Sequence, residues 1–142
     1  MDLEATMRFL AGEKRRLVTW KESTGTLSEA ARSVGDFRGR SGYDFCLPAP
    51  FALENLFPTI RADAASYFAD VPLVWHQGTG GGPTTHLCGG QVCAVNFLFH
   101  LSSNPDALLR LFAPIMPDIV HPLEMDPGRF VSFEWIGKRN YL

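Results

Sequence analysis

Two histidines and two cysteines near residue 90 are of the residue types that bind metals or attack substrates. His86, Cys88, Cys93 and His100 offer imidazole and thiolate groups, which zinc prefers as ligands. Four residues separate Cys88 from Cys93, at the wide end of the usual gap of roughly two to four residues. On a helix, Cys93 and His100 would lie about 10 Å apart along the axis. The spacing therefore predicts no zinc site, and a zinc-stabilised interaction module is the third-ranked hypothesis.

Two other chemistries have weaker support in the sequence. A cysteine nucleophile served by His76 or His86 would need a third group to orient the base, and the sequence indicates none. The glycine-rich run at residues 78–83 lacks the Gly-Lys-Ser/Thr ending of a phosphate-binding P-loop. Trp75-His76, just before this run, could contact a ligand, although a packed Trp with a hydrogen-bonded His is the commoner arrangement.

The element that must position these groups is a helix around residues 92–101. This stretch is almost continuously apolar, interrupted only by Asn96 and His100, which predicts a buried helix. Cys93, Asn96 and His100 would share one face of it, and Gln91 would open it. A buried amide costs about 1–3 kcal/mol unless it is hydrogen-bonded. Asn96 is therefore predicted to be a hydrogen-bonded anchor, with either a structural or a chemical role.

Apolar spacing, caps and prolines predict the remaining elements. They are an amphipathic helix over residues 3–20, a short helix from Ser28 to Val34 followed by an irregular loop, a helix from Pro58 to about Ala69, a helix Pro105–Phe112 with Asn104 as its N-cap, and a strand Phe130–Ile136. The predicted division is an N-terminal helix and polar loop (residues 1–44) and a partial domain (residues 45–142), together one globular unit.

Composition limits the class of protein. The chain has 142 residues, 46% of them hydrophobic and 20% charged, which suits one globular domain with a substantial core. The net charge of −2 does not by itself predict nucleic-acid binding. Basic residues do cluster at Lys14-Arg15-Arg16 and at Arg38 and Arg40, where a solvated surface is the usual meaning. Three cysteines and no apolar run of membrane-spanning length indicate reduced thiols in a cytoplasmic protein.

A series of short motifs is more specific than any of these features. The motifs follow in the order Cys46-Leu47-Pro48, Glu54-Asn55-Leu56, Ile60-Arg61, Tyr67-Phe68, Trp75-His76, Pro83-Thr84-Thr85-His86-Leu87, Gln91-Val92-Cys93, Val95-Asn96-Phe97-Leu98 and Phe133-Glu134-Trp135-Ile136. The series resembles the N-terminal part of a bacterial family of restriction endonucleases related to the PD-(D/E)xK nucleases. The resemblance covers about the last two thirds of the chain, from Cys46 to Leu142.

The resemblance implies an α/β or α+β nuclease fold that cuts DNA with Mg²⁺. In such sites an Asp on one strand and a Glu-x-Lys on the next hold the metal and activate water. The sequence ends at Leu142 before either element, and it contains no Glu-x-Lys. The expectation is therefore an N-terminal portion that is inactive alone, partnered by DNA and by a missing C-terminal half. The alternative is a small non-enzymatic binding or regulatory protein with the same fold.

The resemblance also selects the candidate site residues. Glu134, mid-strand among aromatic residues, is the candidate catalytic and metal-binding carboxylate, with an edge-strand glutamate facing water as the alternative. Gln91 is the second catalytic candidate, although Gly89-Gly90 replaces the two serines that precede it in the family. His76, His86 and Asn96 are the candidate substrate-binding residues.

Overall fold

The computed structural model describes residues 3–71 and 73–133, and within them the fold is α+β. The described residues form four α-helices and one small antiparallel hairpin. Their bounds are α1 Leu3–Ser23, β1 Gly35–Phe37, β2 Arg40–Tyr43, α2 Arg61–Asp70, α3 Gly90–Leu98 and α4 Pro105–Phe112, with 3₁₀ helices at Ala30–Arg32, Ala49–Asn55 and Phe99–Leu101. Helix was correctly predicted at all four α-helical positions.

Helix α1 is attached to the rest of the molecule through its C-terminal end. Lys21, only 2% exposed, donates from Nζ to the carbonyl oxygens of Ser33, Asp44 and Cys46 at 2.6, 3.0 and 2.6 Å. All three hydrogens of the ammonium are thereby bonded, which offsets its loss of water. At the other end of the helix, apolar side chains stand in solvent, including Leu3 at 74% and Met7 at 63% exposure.

The hairpin replaces much of the irregular loop expected after Val34, so that expectation was wrong for residues 35–43. Phe37 pairs with Arg40, and the two turn residues between them, Arg38 and Gly39, have φ of 51° and 73°. Positive φ at both central residues is what a type I′ hairpin turn requires. Gly35 lies against the Cys46 backbone, where a Cβ atom would not fit.

The main core lies between α2 and α3. Phe68 stacks on Trp75 with ring centroids 3.6 Å apart, and Val92 and Val95 of α3 pack in the same cluster. A second cluster, formed by Leu27, Ala31, Leu47 and Leu87, joins the segment after α1 to the segment before α3.

Helix α3 was predicted to be buried on all sides, and this was wrong. Val92 and Val95 are buried, but Cys93 and His100 are exposed and Phe97 is 57% exposed. The helix is therefore a covering element with one face in the core. A helix that is apolar on all sides is usually buried, and α3 has that composition although its outer face is exposed. Sequence alone does not distinguish a fully buried helix from one with an exposed apolar face, because the difference lies in the tertiary packing.

In the C-terminal part, the structure confirms the predicted helix α4 and differs from the prediction after it. Asn104 caps α4, accepting at Oδ1 from the Ala107 N–H at 3.0 Å. Residues 130–133 are not in a strand, so that part of the predicted strand Phe130–Ile136 is wrong; residues 134–136 lie outside the described residues. The proposed division at residues 44 and 45 stays a prediction. Within residues 3–71 and 73–133, no helix combines the length and apolarity needed to cross a membrane.

Candidate functional site

The predicted substrate-binding residues His86 and Asn96 are linked through a third residue, Asn55. Asn96 Nδ2 donates to the Asn55 carbonyl at 2.8 Å, and its Oδ1 accepts the Phe57 N–H at 2.9 Å. The buried side chain of Asn55 donates to the carbonyl oxygens of Thr84 and His86 at 2.7 and 3.1 Å. Asn96 is thus the hydrogen-bonded anchor that the sequence predicted. Asn55 was not selected from the sequence as a candidate site residue. The available signal was an amide directly beside the apolar Leu56, since an amide near a core position needs hydrogen-bond partners.

The other predicted pair, Gln91 and His76, is in direct contact. Gln91 Oε1 accepts the His76 N–H at 2.7 Å, and Gln91 Nε2 donates to the Val74 carbonyl at 3.0 Å. Both ends of the Gln91 amide are therefore bonded to the backbone before the glycine-rich loop. The His76 side chain is exposed.

Four aromatic side chains from three segments meet at the surface beside the hairpin, and we call them the aromatic cluster: Phe37, Tyr43, Phe45 and His86. The His86 ring lies 5.1 Å from Phe37 and 5.0 Å from Phe45, centroid to centroid. Tyr43 lies 5.5 Å from Phe45 and 6.4 Å from Phe37. An antiparallel bridge between Cys46 and His86 holds the segment that carries Phe45 beside the segment that carries His86. Each of the four residues is half-buried, so each also faces solvent.

Two cations of the chain lie over rings of this cluster. Lys14 Nζ is 4.2 Å from the Phe45 centroid, and Arg38 Cζ is 5.3 Å from the Phe37 centroid. Both distances are in the range of cation–π attraction. Burial lowers the pKa of His86, and the positive charge of Lys14 lowers it further, while a hydrogen bond with the backbone acts in the opposite direction. His86 Nδ1 accepts the Cys88 N–H at 3.0 Å, which also requires an unprotonated nitrogen there.

The sequence located the cations of this surface and missed its aromatic part. Lys14, Arg38 and Arg40 were interpreted as a solvated surface, and Arg38 and Arg40 are exposed as expected. The aromatic residues come from positions 37–45 and 86, and only the hairpin and the Cys46–His86 bridge bring them together. One signal was available: Phe37, Tyr43 and Phe45 lie among polar residues, an unusual place for three aromatic side chains.

Metal ligands do not converge in the described part of the chain. Across residues 3–71 and 73–133, no group of three or more His, Cys, Asp or Glu side chains is placed to hold one ion. Cys46 is buried, Cys88 half-buried and Cys93 exposed. Glu134, the predicted metal-binding carboxylate, lies outside the described residues.

A cleft of about 640 Å³ is lined in part by Asn55 and Asn96. Leu17 and Trp20 of α1, Ile60, and Cys93 and Phe97 of α3 contribute to its lining, which is predominantly apolar. Its polar members include Asn96 of α3 and His100 of the 3₁₀ helix that follows α3. The face that carries Cys93, Asn96 and His100 is thus the wall of an open cleft.

Comparison with known families places the chain. Residues 13–142 match the family described as "Restriction Endonuclease associating with ARP". This match covers more than half of the chain, so the protein belongs to that restriction-endonuclease-related family. Comparison with curated proteins and with solved structures found no significant match.

Proposed function

We propose that this chain acts on DNA as part of a restriction-endonuclease-type protein. The observation that carries the proposal is membership of the restriction-endonuclease-related family over residues 13–142. The hydrolysis of DNA phosphodiesters is the chemistry that the name of this class implies. The sequence resemblance to PD-(D/E)xK nucleases would make that chemistry dependent on Mg²⁺.

The surface beside the hairpin supports a DNA-binding role. It combines Lys14 and Arg38 with four aromatic side chains, and Arg40 is exposed on the same hairpin. Lysine and arginine bind DNA mainly through phosphate oxygens, which gives affinity that falls with salt. A local basic surface can provide this contact even when the whole chain carries a net charge of −2.

We assign binding, and not bond cleavage, to the described residues. Gln91 and Asn96 use both ends of their amides on backbone groups, which makes them positioning residues in this structure. The 142 residues contain no Glu-x-Lys, and Glu134, the candidate carboxylate for a Mg²⁺ centre, lies outside the described residues.

The test is a combined binding and cleavage assay on the purified 142-residue chain. A fluorescent DNA should be bound with an affinity that falls as salt is raised, because Lys and Arg contacts release counterions. Supercoiled plasmid should stay intact in Mg²⁺ or Mn²⁺. Failure to bind duplex or single-stranded DNA at low salt would contradict the proposal. Nicking that EDTA abolishes would contradict the assignment of binding alone.

A second candidate function is a non-enzymatic binding or regulatory protein. The apolar cleft formed by α1 and α3 is the observation that favours it, since such a concave surface is typical of binding sites. The family description also names an association with ARP, which agrees with a binding role. A chain that binds no DNA in the assay above would favour this candidate.

A further inference from the structure

We propose that the aromatic cluster of Phe37, Tyr43, Phe45 and His86 binds the unpaired bases of single-stranded DNA, with Lys14 and Arg38 contacting the adjacent phosphates. The inference rests on the proposed action on DNA and adds that the form of DNA bound at this surface is single-stranded. It is carried by the juxtaposition of half-buried aromatic rings with cations on one rigid surface.

The four rings pack against one another in tilted or edge-to-face contacts, with interplanar angles from 55° to 89°. Each ring touches two others of the cluster, with centroid separations from 5.0 to 6.4 Å. The hairpin ladder and the Cys46–His86 bridge fix the backbone beneath them. A rigid aromatic surface loses little conformational entropy when a ligand stacks on it, which favours binding.

The cations have positions that suit a nucleotide. In the free protein, Lys14 lies over Phe45 and Arg38 over Phe37. A base that stacks on either ring would displace the cation sideways, toward the phosphate of the same strand. Glu13, Asp36 and Asp44 are the acids beside these cations in the sequence. Glu13 accepts from Arg16 Nη1 at 3.0 Å, the Asp36 carboxylate accepts the Ala49 N–H at 3.4 Å, and Asp44 is exposed.

Unpaired DNA fits this surface better than duplex DNA does. In a duplex, neighbouring base pairs cover the faces of the bases, so an aromatic ring reaches a base face only when the base is unstacked. Proteins that bind single strands combine the same two features, aromatic stacking platforms and a basic path for the backbone. Because the chain belongs to a restriction-endonuclease-related family, we expect the single strand to be DNA and not RNA.

The experiment measures binding of three fluorescent probes by anisotropy: a single-stranded DNA of mixed sequence, the same sequence as a duplex, and the same sequence as RNA. The variants are Phe45→Leu, which keeps apolar volume without a π-face, and Arg38→Gln, at an exposed position. The controls are Phe97→Leu, an exposed aromatic residue on α3, and Arg110→Gln, an exposed arginine on α4. Thermal melting of every variant confirms that it is folded.

The expected result is tighter binding of the single strand than of the duplex or the RNA. Phe45→Leu should weaken single-strand binding by about tenfold, the effect typical of losing one stacked base. Arg38→Gln should reduce the salt dependence of log K by roughly 0.7, the value for one phosphate contact on a single strand. Both controls should bind like the parent.

The outcomes separate this inference from the proposed function. Equal or tighter binding of the duplex, with Phe45→Leu and Arg38→Gln like the controls, overturns the inference and leaves action on DNA standing. Equal or tighter binding of RNA overturns the choice of DNA. No binding of either DNA form overturns both. If Phe45→Leu does not fold, Arg38→Gln and its salt dependence decide the question alone.

Discussion

At the scale of single residues, three amide side chains each bond to the backbone of another segment of the chain. Asn96 bonds to residues 55 and 57, Asn55 bonds to residues 84 and 86, and Gln91 bonds to residues 74 and 76. Each amide provides the hydrogen bonds that a neighbouring strand would otherwise provide. Gln91 and Asn96 were selected from the sequence and Asn55 was not. The partners of all three could not be predicted, because they are main-chain atoms far away in the chain.

Asn96→Leu should destabilise the protein by about 1–3 kcal/mol, because it leaves the Phe57 N–H and the Asn55 carbonyl without partners. Urea denaturation measures the change. His100→Leu, at an exposed position on the segment directly after α3, is the matched control and should change stability by less than about 0.5 kcal/mol. Equal stability of parent and Asn96→Leu would contradict the anchoring role.

Asn96→Asp distinguishes a structural role from a metal-binding role. The carboxylate keeps the acceptor for Phe57 but loses the donor and faces the Asn55 carbonyl, so this variant should also be destabilised. Its melting temperature should be the same in EDTA and in Mg²⁺. A selective increase in Mg²⁺ would show that this face lies near a cation site.

The Cys46 thiol should make stability depend on pH in the alkaline range. Burial raises the pKa of Cys46 from 9.0 to about 11, against the opposing effect of the positive charges of Lys21 and Lys14. The folded state therefore keeps a proton that the unfolded chain releases above pH 9. Stability should fall as pH rises from there toward 11, by up to about 1.4 kcal/mol per pH unit.

The measurement is the free energy of unfolding of the parent and of Cys46→Ala, at pH 7 and pH 10 with a reductant present. The advantage of the parent over the variant should shrink at the higher pH, because the unfolded parent is stabilised by releasing the Cys46 proton and the alanine variant has no such proton to release. The same difference at both pH values would mean that the thiol titrates alike in the folded and unfolded chain.

At the scale of elements, the sequence predicted helices with periodic apolar faces or clear caps and missed the hairpin. Asn104-Pro105 located α4, because a cap and a first-turn proline are local signals. The hairpin contains Gly35, Gly39 and Gly42, which by composition indicate a loop. Arg38-Gly39 between Phe37 and Arg40 was the available turn signal. The aromatic cluster could not be predicted, because it exists only after the hairpin meets residue 86.

Gln91→Leu tests the attachment of the glycine-rich loop to α3. The variant removes the acceptor for the His76 N–H and the donor to the Val74 carbonyl. Amide exchange at His76 should become faster by about fivefold, since a bond worth roughly 1 kcal/mol no longer limits local opening. Ala94→Leu, at an exposed site on α3, should leave that rate unchanged. Unchanged exchange in Gln91→Leu would show that other contacts hold the loop.

At the scale of the whole molecule, the N-terminal half of α1 contributes little to the fold. Leu3, Met7 and Leu10 are 74%, 63% and 47% exposed, and the family match begins at residue 13. Deleting residues 2–11 should therefore shift Tm by less than about 4 °C and reduce the helical circular dichroism signal. Deleting residues 2–21 also removes Lys21 and should abolish cooperative unfolding. Equal damage from both deletions would show that the exposed half is needed.

Lys21 also places a constraint on the order of folding during synthesis. The three carbonyl groups that bind its ammonium follow it by 12, 23 and 25 residues, so the ribosome makes the lysine before any of its acceptors. An ammonium is costly to bury with its hydrogens unbonded, and water remains its better environment until all three acceptors exist. The C-terminal end of α1 must therefore wait, as a solvated helix, until Cys46 has been added and the β1–β2 hairpin has closed.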